Sequence, residues 1–353
     1  MSMFEPRDAI REMEGYHSPQ VDVPVRLNTN ESPFPPPQQW VNSLDEIARH
    51  VSWNRYPDRT ATQLREVIAQ RHGVAPENVF VANGSNEVLQ TILLTYGGHG
   101  RKVAVFEPTY QMYGQIARVT GAQVVVGTRG DDFIVATDEI SRVTGSQDIA
   151  VTFLTNPNNP TGVIEPRENL EHLLRTTNGI VVVDEAYAEF ADWSAMDMVD
   201  ESQRLIVTRT FSKTLSLAGL RVGYAVGPRW MIEKLAIAAL PYHLDAFKQA
   251  ATVAALSYVD EMQQRVTTIT VQRRRIEQRL QAAGMTVWPS GANFVLFRPE
   301  KESTPTLWQQ LLERGILVRD CGSWPGLDRC LRVTVGTEEE NSLFLDAVDD
   351  LVG

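Results

Sequence analysis

The stretch "TRTFSKTLSLAGLRVGY", residues 208–224, gathers Thr210, Ser212, Lys213 and Arg221 in a loop between two apolar runs. A lysine that is partly desolvated near other cations binds its proton less tightly and becomes a nucleophilic amine, able to form a Schiff base with a carbonyl. The hydroxyls of Thr210 and Ser212 can donate to phosphate oxygens, and the planar fork of Arg221 suits the same dianion. In "GIVVVDEAYAEF" four apolar residues lead directly into Asp184, with Tyr187 three positions on. A carboxylate at the end of a buried strand is costly without a positive partner. A helix cap or a structural ion pair would meet that need. So would a protonated heteroaromatic nitrogen, with the Tyr187 hydroxyl donating to a ring oxygen. "VFVANGSNEVLQTILL" places Gly84, Ser85 and Asn86 between a strand and a helix, where backbone N–H groups face an anion, although Ser and Asn are also ordinary caps. "FLTNPNNPTG" ends a strand in Asn156 and Asn159 between proline bends, a pattern that also serves a plain turn. Together these residues describe a pocket for an aldehyde bearing a phosphate and a ring nitrogen, which is pyridoxal 5′-phosphate. An ordinary surface lysine would not account for Asp184, Tyr187 and Arg221 arriving together.

The elements that must position these groups are short β-branched runs alternating with longer helical patterns from residue 79 onward: "VFVAN", "KVAVFEP", "AQVVVG", "IAVTFLTNP", "GIVVVDEA", "RLIVTRTFS" and "VGYAVG". Uninterrupted Val/Ile runs of this length suit strands buried on both faces, so the expectation is an α/β large domain with a mostly parallel sheet between helices. In such a sheet, ligands sit outside the carboxyl ends of the strands, where all the residues named above fall. Residues 230–284 read as helical throughout, with Gly284 as the stop. "MTVWPSGANFVLFRP", "TPTLWQQLLERG", "ILVRD", "CLRVTVG" and a last amphipathic helix then form a small α+β unit. Three consecutive prolines in "NESPFPPPQQW" favour an extended arm. The expected division is an N-terminal arm over 1–35, a cofactor-binding large domain over 36–245, and a small C-terminal domain over 246–353 that includes a long connecting helix.

The chain has 353 residues, 43% hydrophobic and 22% charged, with a formal net charge of −11. That length suffices for a sizeable core. The acidity argues against a nucleic-acid partner, since such proteins concentrate Lys and Arg. No charged-then-apolar leader opens "MSMFEPRDAIREME", and no apolar run reaches the roughly 20 residues of a membrane helix, so a cytoplasmic location and no membrane are expected. Two cysteines, Cys321 and Cys330, are too few for a disulfide framework or zinc ribbon, and no metal is expected.

The ordered series "LNTNESPF", "RYPD", "NGSNE", "EPTYQMY", "NPNNPTG", "VVVDEAYAEF", "RTFSKTLSLAGLRVGY", "NFVLF" and "LRVTVGT" resembles the fold-type I pyridoxal-phosphate aminotransferases, and within them the histidinol-phosphate aminotransferases. The resemblance covers nearly the whole chain. It implies a seven-stranded large-domain sheet, and it implies that Lys213 joins the cofactor covalently and Asp184 pairs with the pyridine nitrogen. Tyr187 and Asn159 would bond the ring hydroxyl oxygen, and Tyr110 would stack on the ring. Ser85, Asn86, Thr210, Ser212 and Arg221 would hold the phosphate, joined by Tyr56 of "RYPD" from a second subunit, so a homodimer with shared sites is implied. On the substrate side it implies Arg332 and Arg319 for an anionic group, with Tyr16, Asn30 and Glu31 closing over the ligand. The implied reaction converts L-histidinol phosphate and 2-oxoglutarate to imidazole acetol phosphate and L-glutamate, in histidine biosynthesis.

The chain departs from the family pattern at Ser32, at Pro35 to Pro37, at Thr214, Leu215 and Ser216, and at His243, which is expected near the imidazole end of the substrate. The competing reading is an aromatic amino-acid aminotransferase, taking phenylalanine or tyrosine with the same machinery. A phosphothreonine decarboxylase is more distant. A cofactor-sensing regulator would need an attached DNA-binding segment, for which the motifs here leave no basic stretch, and a Schiff-base aldolase on a barrel would have no use for Asp184 with Tyr187.

Overall fold

The computed structural model describes residues 4–11, 13, 15, 21–145, 148–301 and 305–352; Tyr16 lies outside the described residues. In chain order the elements begin with α1 (Asp8–Arg11), β1 (Val25–Leu27), α2 (Gln38–His50), α3 (Thr62–His72), β2 (Val79–Ala82) and α4 (Ser85–Tyr96). There follow β3 (Lys102–Glu107), α5 (Met112–Thr120), β4 (Gln123–Thr128), α6 (Thr137–Gly145), β5 (Ile149–Thr155), α7 (Arg167–Thr176) and β6 (Ile180–Asp184). Then come β7 (Leu205–Thr210), β8 (Gly223–Val226), α8 (Arg229–Ala238), α9 (Ala246–Ala255) and α10 (Val259–Ala282). The chain closes with β9 (Thr286–Val287), β10 (Phe294–Arg298), α11 (Leu307–Glu313), β11 (Ile316–Asp320), β12 (Leu331–Thr334) and α12 (Glu338–Val352).

Each of the seven apolar runs becomes a strand of one sheet, in the order β2-β8-β7-β6-β5-β3-β4. Only β8 runs antiparallel to its neighbours; the other pairings are parallel. Successive residues of a strand face opposite sides, so Val181 and Val183 enter one core while Ile180 and Val182 enter the other. Both faces are covered, which is why these strands show no polar alternation. The carboxyl ends of β6 and β7 deliver Asp184 and Thr210 to the same edge of the sheet.

The second sheet has five strands, β1-β11-β12-β10-β9. Its edge strand β1 comes from the N-terminal arm and pairs parallel with β11, Val25 opposite Ile316. The arm is therefore built into the small sheet ahead of the prolines, whereas the sequence pattern indicated only an extended segment. The helical region also differs from expectation. It breaks over 239–245, where Pro241 cannot donate to a helix ladder and Tyr242 takes φ 61°. Asp245 then restarts the helix by accepting from Lys248 N at 2.8 Å. Helix α10 spans the two cores, with Met262 in that of the large sheet and Val266, Ile269, Ile276 and Leu280 in that of the small one. Among the described residues no helix is long and apolar enough to cross a membrane.

Candidate active site

Between the two sheets lies a cavity of about 370 Å³. Asp184 lies in its wall, buried, where its Oδ2 accepts from the Tyr113 hydroxyl at 2.8 Å and its Oδ1 from Ala186 N at 3.1 Å. The Tyr113 oxygen in turn accepts from Thr155 Oγ1 at 3.0 Å, and its ring stacks on Phe153 at 4.6 Å. Burial raises the Asp184 pKa to about 6, against the pull of these donors. A cationic group beside it would remove that penalty.

Lys213 follows β7 and donates from Nζ to the Thr29 carbonyl at 3.0 Å. Burial, reinforced by Arg332 and Arg221 and opposed by Glu31, lowers its pKa to about 8. The neutral amine, the form a nucleophile requires, is therefore far more accessible near neutrality than in an ordinary lysine. Tyr187 is 5.9 Å from the lysine nitrogen, measured at the ring centroid, and its hydroxyl accepts from Asn30 Nδ2 at 2.9 Å.

One cationic group of the cavity is built around Arg221, which donates to Ser212 Oγ at 3.2 Å, while Thr210 Oγ1 donates to the same oxygen at 2.9 Å. Arg221 sits in the left-handed region, φ 56° and ψ 61°, a strained conformation for a residue with a side chain. That turn brings its guanidinium against Gly84, where an added Cβ would stand 2.6 Å from Nη2. Gly84 precedes Ser85 and Asn86 at the N-terminus of α4, so its missing side chain leaves the amide end of the helix and the guanidinium side by side. Such a cradle of hydroxyls, helix amides and arginine fits a phosphate dianion. With Lys213 and Asp184 in the same cavity, the residues fit a phosphate-bearing pyridine aldehyde.

A second cationic group comes from the small sheet. Arg332 and Arg319 face each other across β12 and β11. Arg332 donates to Asn159 Oδ1 at 2.5 Å and to the Asn28 carbonyl at 2.9 Å, and packs over Phe294 at 5.1 Å. Its buried Nε has no hydrogen-bond partner among the described residues, an incomplete satisfaction that an anionic ligand can relieve. Arg319 lies over Trp324 at 5.9 Å.

Of the residues expected from the sequence, the cavity brings together Asn30, Glu31, Ser85, Asn86, Tyr110, Asn159, Asp184, Tyr187, Thr210, Ser212, Lys213, Arg221, Arg319 and Arg332. Tyr110 also donates to Asn86 Oδ1 at 3.2 Å. Gly84 is just behind the cradle. Tyr56 is not in the cavity of this single chain: it is 80% exposed and stacks on Tyr242 at 4.6 Å. His243 does not line the cavity of this single chain; its ring is engaged with the carbonyls of Leu240 and Val81 at 3.0 and 2.9 Å. Besides the small residues Ala186, Ala218 and Gly219, four lining residues with polar or aromatic side chains escaped the sequence reading: Thr29, Tyr113, Thr155 and Trp324. Thr155 was within reach, as the last residue of an apolar run, and Tyr113 stands three places after Tyr110 in the same motif.

Comparison with known proteins agrees with this geometry. Residues 22–348 match the family model for aminotransferases of class I and II. A histidinol-phosphate aminotransferase of Thermobifida fusca is 41% identical, covering 97% of this chain and 94% of its own. One from Streptomyces avermitilis is 43% identical over 98% of this chain and 96% of its own. Among solved structures, a histidinol-phosphate aminotransferase from Sinorhizobium meliloti in complex with pyridoxal-5′-phosphate superposes with a TM-score of 0.90 at 23% identity, covering 100% of this chain and 98% of that one. The chain therefore belongs to the class I and II aminotransferase family, and within it to the histidinol-phosphate aminotransferases.

Proposed function

We propose that this enzyme, with pyridoxal phosphate as cofactor, transfers the amino group of L-histidinol phosphate to 2-oxoglutarate, giving imidazole acetol phosphate and L-glutamate in histidine biosynthesis. The observation that carries this reading is a lysine of lowered pKa in one cavity with two cationic groups, Arg221 with its hydroxyls and Arg319 with Arg332. One group serves the cofactor phosphate, and the other serves the anionic end of each substrate in turn.

The bound cofactor supplies an electron sink that lets the bond between hydrogen and substrate Cα break. Lys213 Nζ takes the proton from Cα, a task suited to an amine with pKa near 8. Asp184 holds a positive charge at the ring nitrogen, and Tyr113 holds Asp184. Tyr187 and Asn159 orient the ring oxygen, and Tyr110 covers the ring face. Gly84, Ser85, Asn86, Thr210, Ser212 and Arg221 bind the phosphate. Arg332 and Arg319 fix the substrate anion, with Asn30 and Glu31 in the same cavity lining. Arg332→Lys loses the planar fork and is expected to raise KM for both substrates about tenfold, with a smaller change in kcat, in steady-state assays.

The working unit of this proposal is a cytoplasmic homodimer, its chains divided into the arm (1–35), the large domain (36–245) and the small domain (246–353). Supporting the dimer, Tyr56, Trp53, Ile237 and Leu240 are large apolar side chains more than two-thirds exposed. Tyr56 then reaches the phosphate of the second subunit. Tyr56→Phe is expected to speed cofactor loss about tenfold, the worth of one hydrogen bond to a charged group. Mixed dimers of Tyr56→Phe and Lys213→Ala chains regain activity if the sites are shared; absence of recovery refutes the shared site.

The reaction is tested by single-turnover absorbance, mixing the cofactor-loaded enzyme with L-histidinol phosphate, L-phenylalanine or L-glutamate. A preference of about a hundredfold for histidinol phosphate over phenylalanine is expected. Equal or reversed preference makes the enzyme an aromatic amino-acid aminotransferase, with Arg332 serving a carboxylate.

A further inference from the structure

Behind the cavity wall runs a second set of polar groups, each the chain neighbour of one that lines the cavity. Glu185 follows Asp184, Arg209 precedes Thr210, and Thr214 follows Lys213; all three are buried and none lines the cavity. Arg209 donates to Glu185 Oε2 from Nη2 at 2.7 Å and from Nε at 3.0 Å, and to Ser194 Oγ at 2.8 Å. Glu185 also accepts from Ser194 Oγ at 2.7 Å and from Ala195 N at 2.5 Å, which fixes its carboxylate. On its other side Arg209 Nη1 reaches Glu189 Oε1 at 3.5 Å, and Glu189 Oε2 accepts from the Thr214 hydroxyl at 3.1 Å.

These contacts form one continuous path from Glu185 through Arg209 and Glu189 to Thr214. It ties the residue after Asp184 to the residue after Lys213 without entering the cavity. The lysine loop needs such an anchor. Between β7 and β8 it has no strand partner of its own, and Ser216 and Arg221 both take left-handed φ of 56°. Its backbone is closed by Phe211 N to the Val222 carbonyl and Leu217 N to the Phe211 carbonyl, each at 3.1 Å. Lys213 itself makes only a long backbone bond there, its carbonyl accepting from Ser216 N at 3.4 Å. On its N-terminal side the Ser212 hydroxyl is held by Thr210 and Arg221; on its C-terminal side the tether is the Thr214 hydroxyl, whose acceptor is held by a guanidinium bonded to the residue after β6.

We propose that Thr214, Glu189 and Arg209 are positioning residues for amino transfer, setting where Lys213 Nζ stands relative to the Asp184 carboxylate. This rests on the amino-transfer reading given above. The three residues touch neither cofactor nor substrate; they act through the groups that do. Misplacement of a reacting amine by a fraction of an ångström costs rate without weakening ligand binding in proportion.

The test uses the holoenzyme and the isosteric Thr214→Val, with Glu189→Gln and Thr214→Ser beside it. Both kcat and KM are measured, together with the pH midpoint of the visible absorption band of the bound cofactor. For Thr214→Val and for Glu189→Gln, kcat is expected to fall about tenfold with KM changed less than about twofold. The midpoint is expected to move by about half a pH unit, because the lysine nitrogen has a new electrostatic setting. Thr214→Ser keeps the hydroxyl and stays close to the parent protein, and the Thr214→Val, Glu189→Gln double variant is no worse than either single one, since both cut the same link. A folded Thr214→Val with unchanged kcat and midpoint overturns the inference, as does a Thr214→Ser as impaired as Thr214→Val. A parent protein that takes up no pyridoxal phosphate would overturn the amino-transfer reading instead.

Discussion

Lys213→Ala is expected to abolish the visible absorption band of the bound cofactor and to lower kcat by about a hundred-thousand-fold, the scale of losing a covalent catalytic group. The size of the loss follows from the double duty of one nitrogen, which both anchors the cofactor and moves the proton at substrate Cα. No neighbour can substitute. The other cations of the cavity, Arg221, Arg319 and Arg332, are guanidiniums and offer no nucleophilic amine, and Tyr187, though 5.9 Å away, presents its ring to Lys213 and its hydroxyl to Asn30. Retention of the phosphate cradle means that cofactor still binds, more weakly and without the band. Absorbance and turnover of the purified variant check this, and a variant that keeps both removes Lys213 from the mechanism.

Asp184→Asn carries the second large effect, and its sign differs between activity and stability. For activity, losing the charge beside the ring nitrogen is expected to lower kcat by about a thousandfold. For stability of the cofactor-free protein the direction is opposite. Burial lifts the Asp184 pKa from the ordinary carboxylate range to about 6. A carboxyl with a raised folded pKa contributes fully below its unfolded value, and that contribution is lost as pH rises through the folded one. A rise of that size corresponds to on the order of 3 kcal/mol lost by pH 8. An asparagine has no such loss, so the cofactor-free Asp184→Asn protein is expected to melt roughly 5 °C higher than its parent at pH 8, and at about the same temperature near pH 4. Thermal unfolding at the two pH values measures it. Equal melting temperatures at pH 8 would show that the buried carboxylate carries no penalty.

The large sheet was legible because burial on both faces leaves a mark: "IVVV" and "LIV" are apolar runs without polar alternation. Asp184 was legible because it stands where such a run stops, and Lys213 because it lies in a Ser/Thr-rich loop between two apolar runs. Tyr113 was hidden because its role depends on a contact with Asp184, 71 positions away, and its own setting in the first turn of α5 reads as ordinary core. The three-residue β1 was hidden because so short a strand carries no period. The bond from the His243 ring to the backbone of β2 at Val81 was hidden because it spans 162 positions. The break over 239–245 was lost in a segment whose composition favours helix on both sides of Pro241.

The pairing of β1 with β11 has a further consequence. Two residues past β1 the chain supplies the Thr29 carbonyl to Lys213, then Asn30 to Tyr187 and Thr334, while β11 and β12 supply Arg319 and Arg332. Both ends of the polypeptide are thus stitched into one plate that forms the substrate-facing wall. Trimming the chain back through β1 would remove masonry from that wall, so this N-terminus is not an appendage that can be shortened for convenience or loaded with a fusion close to Val25.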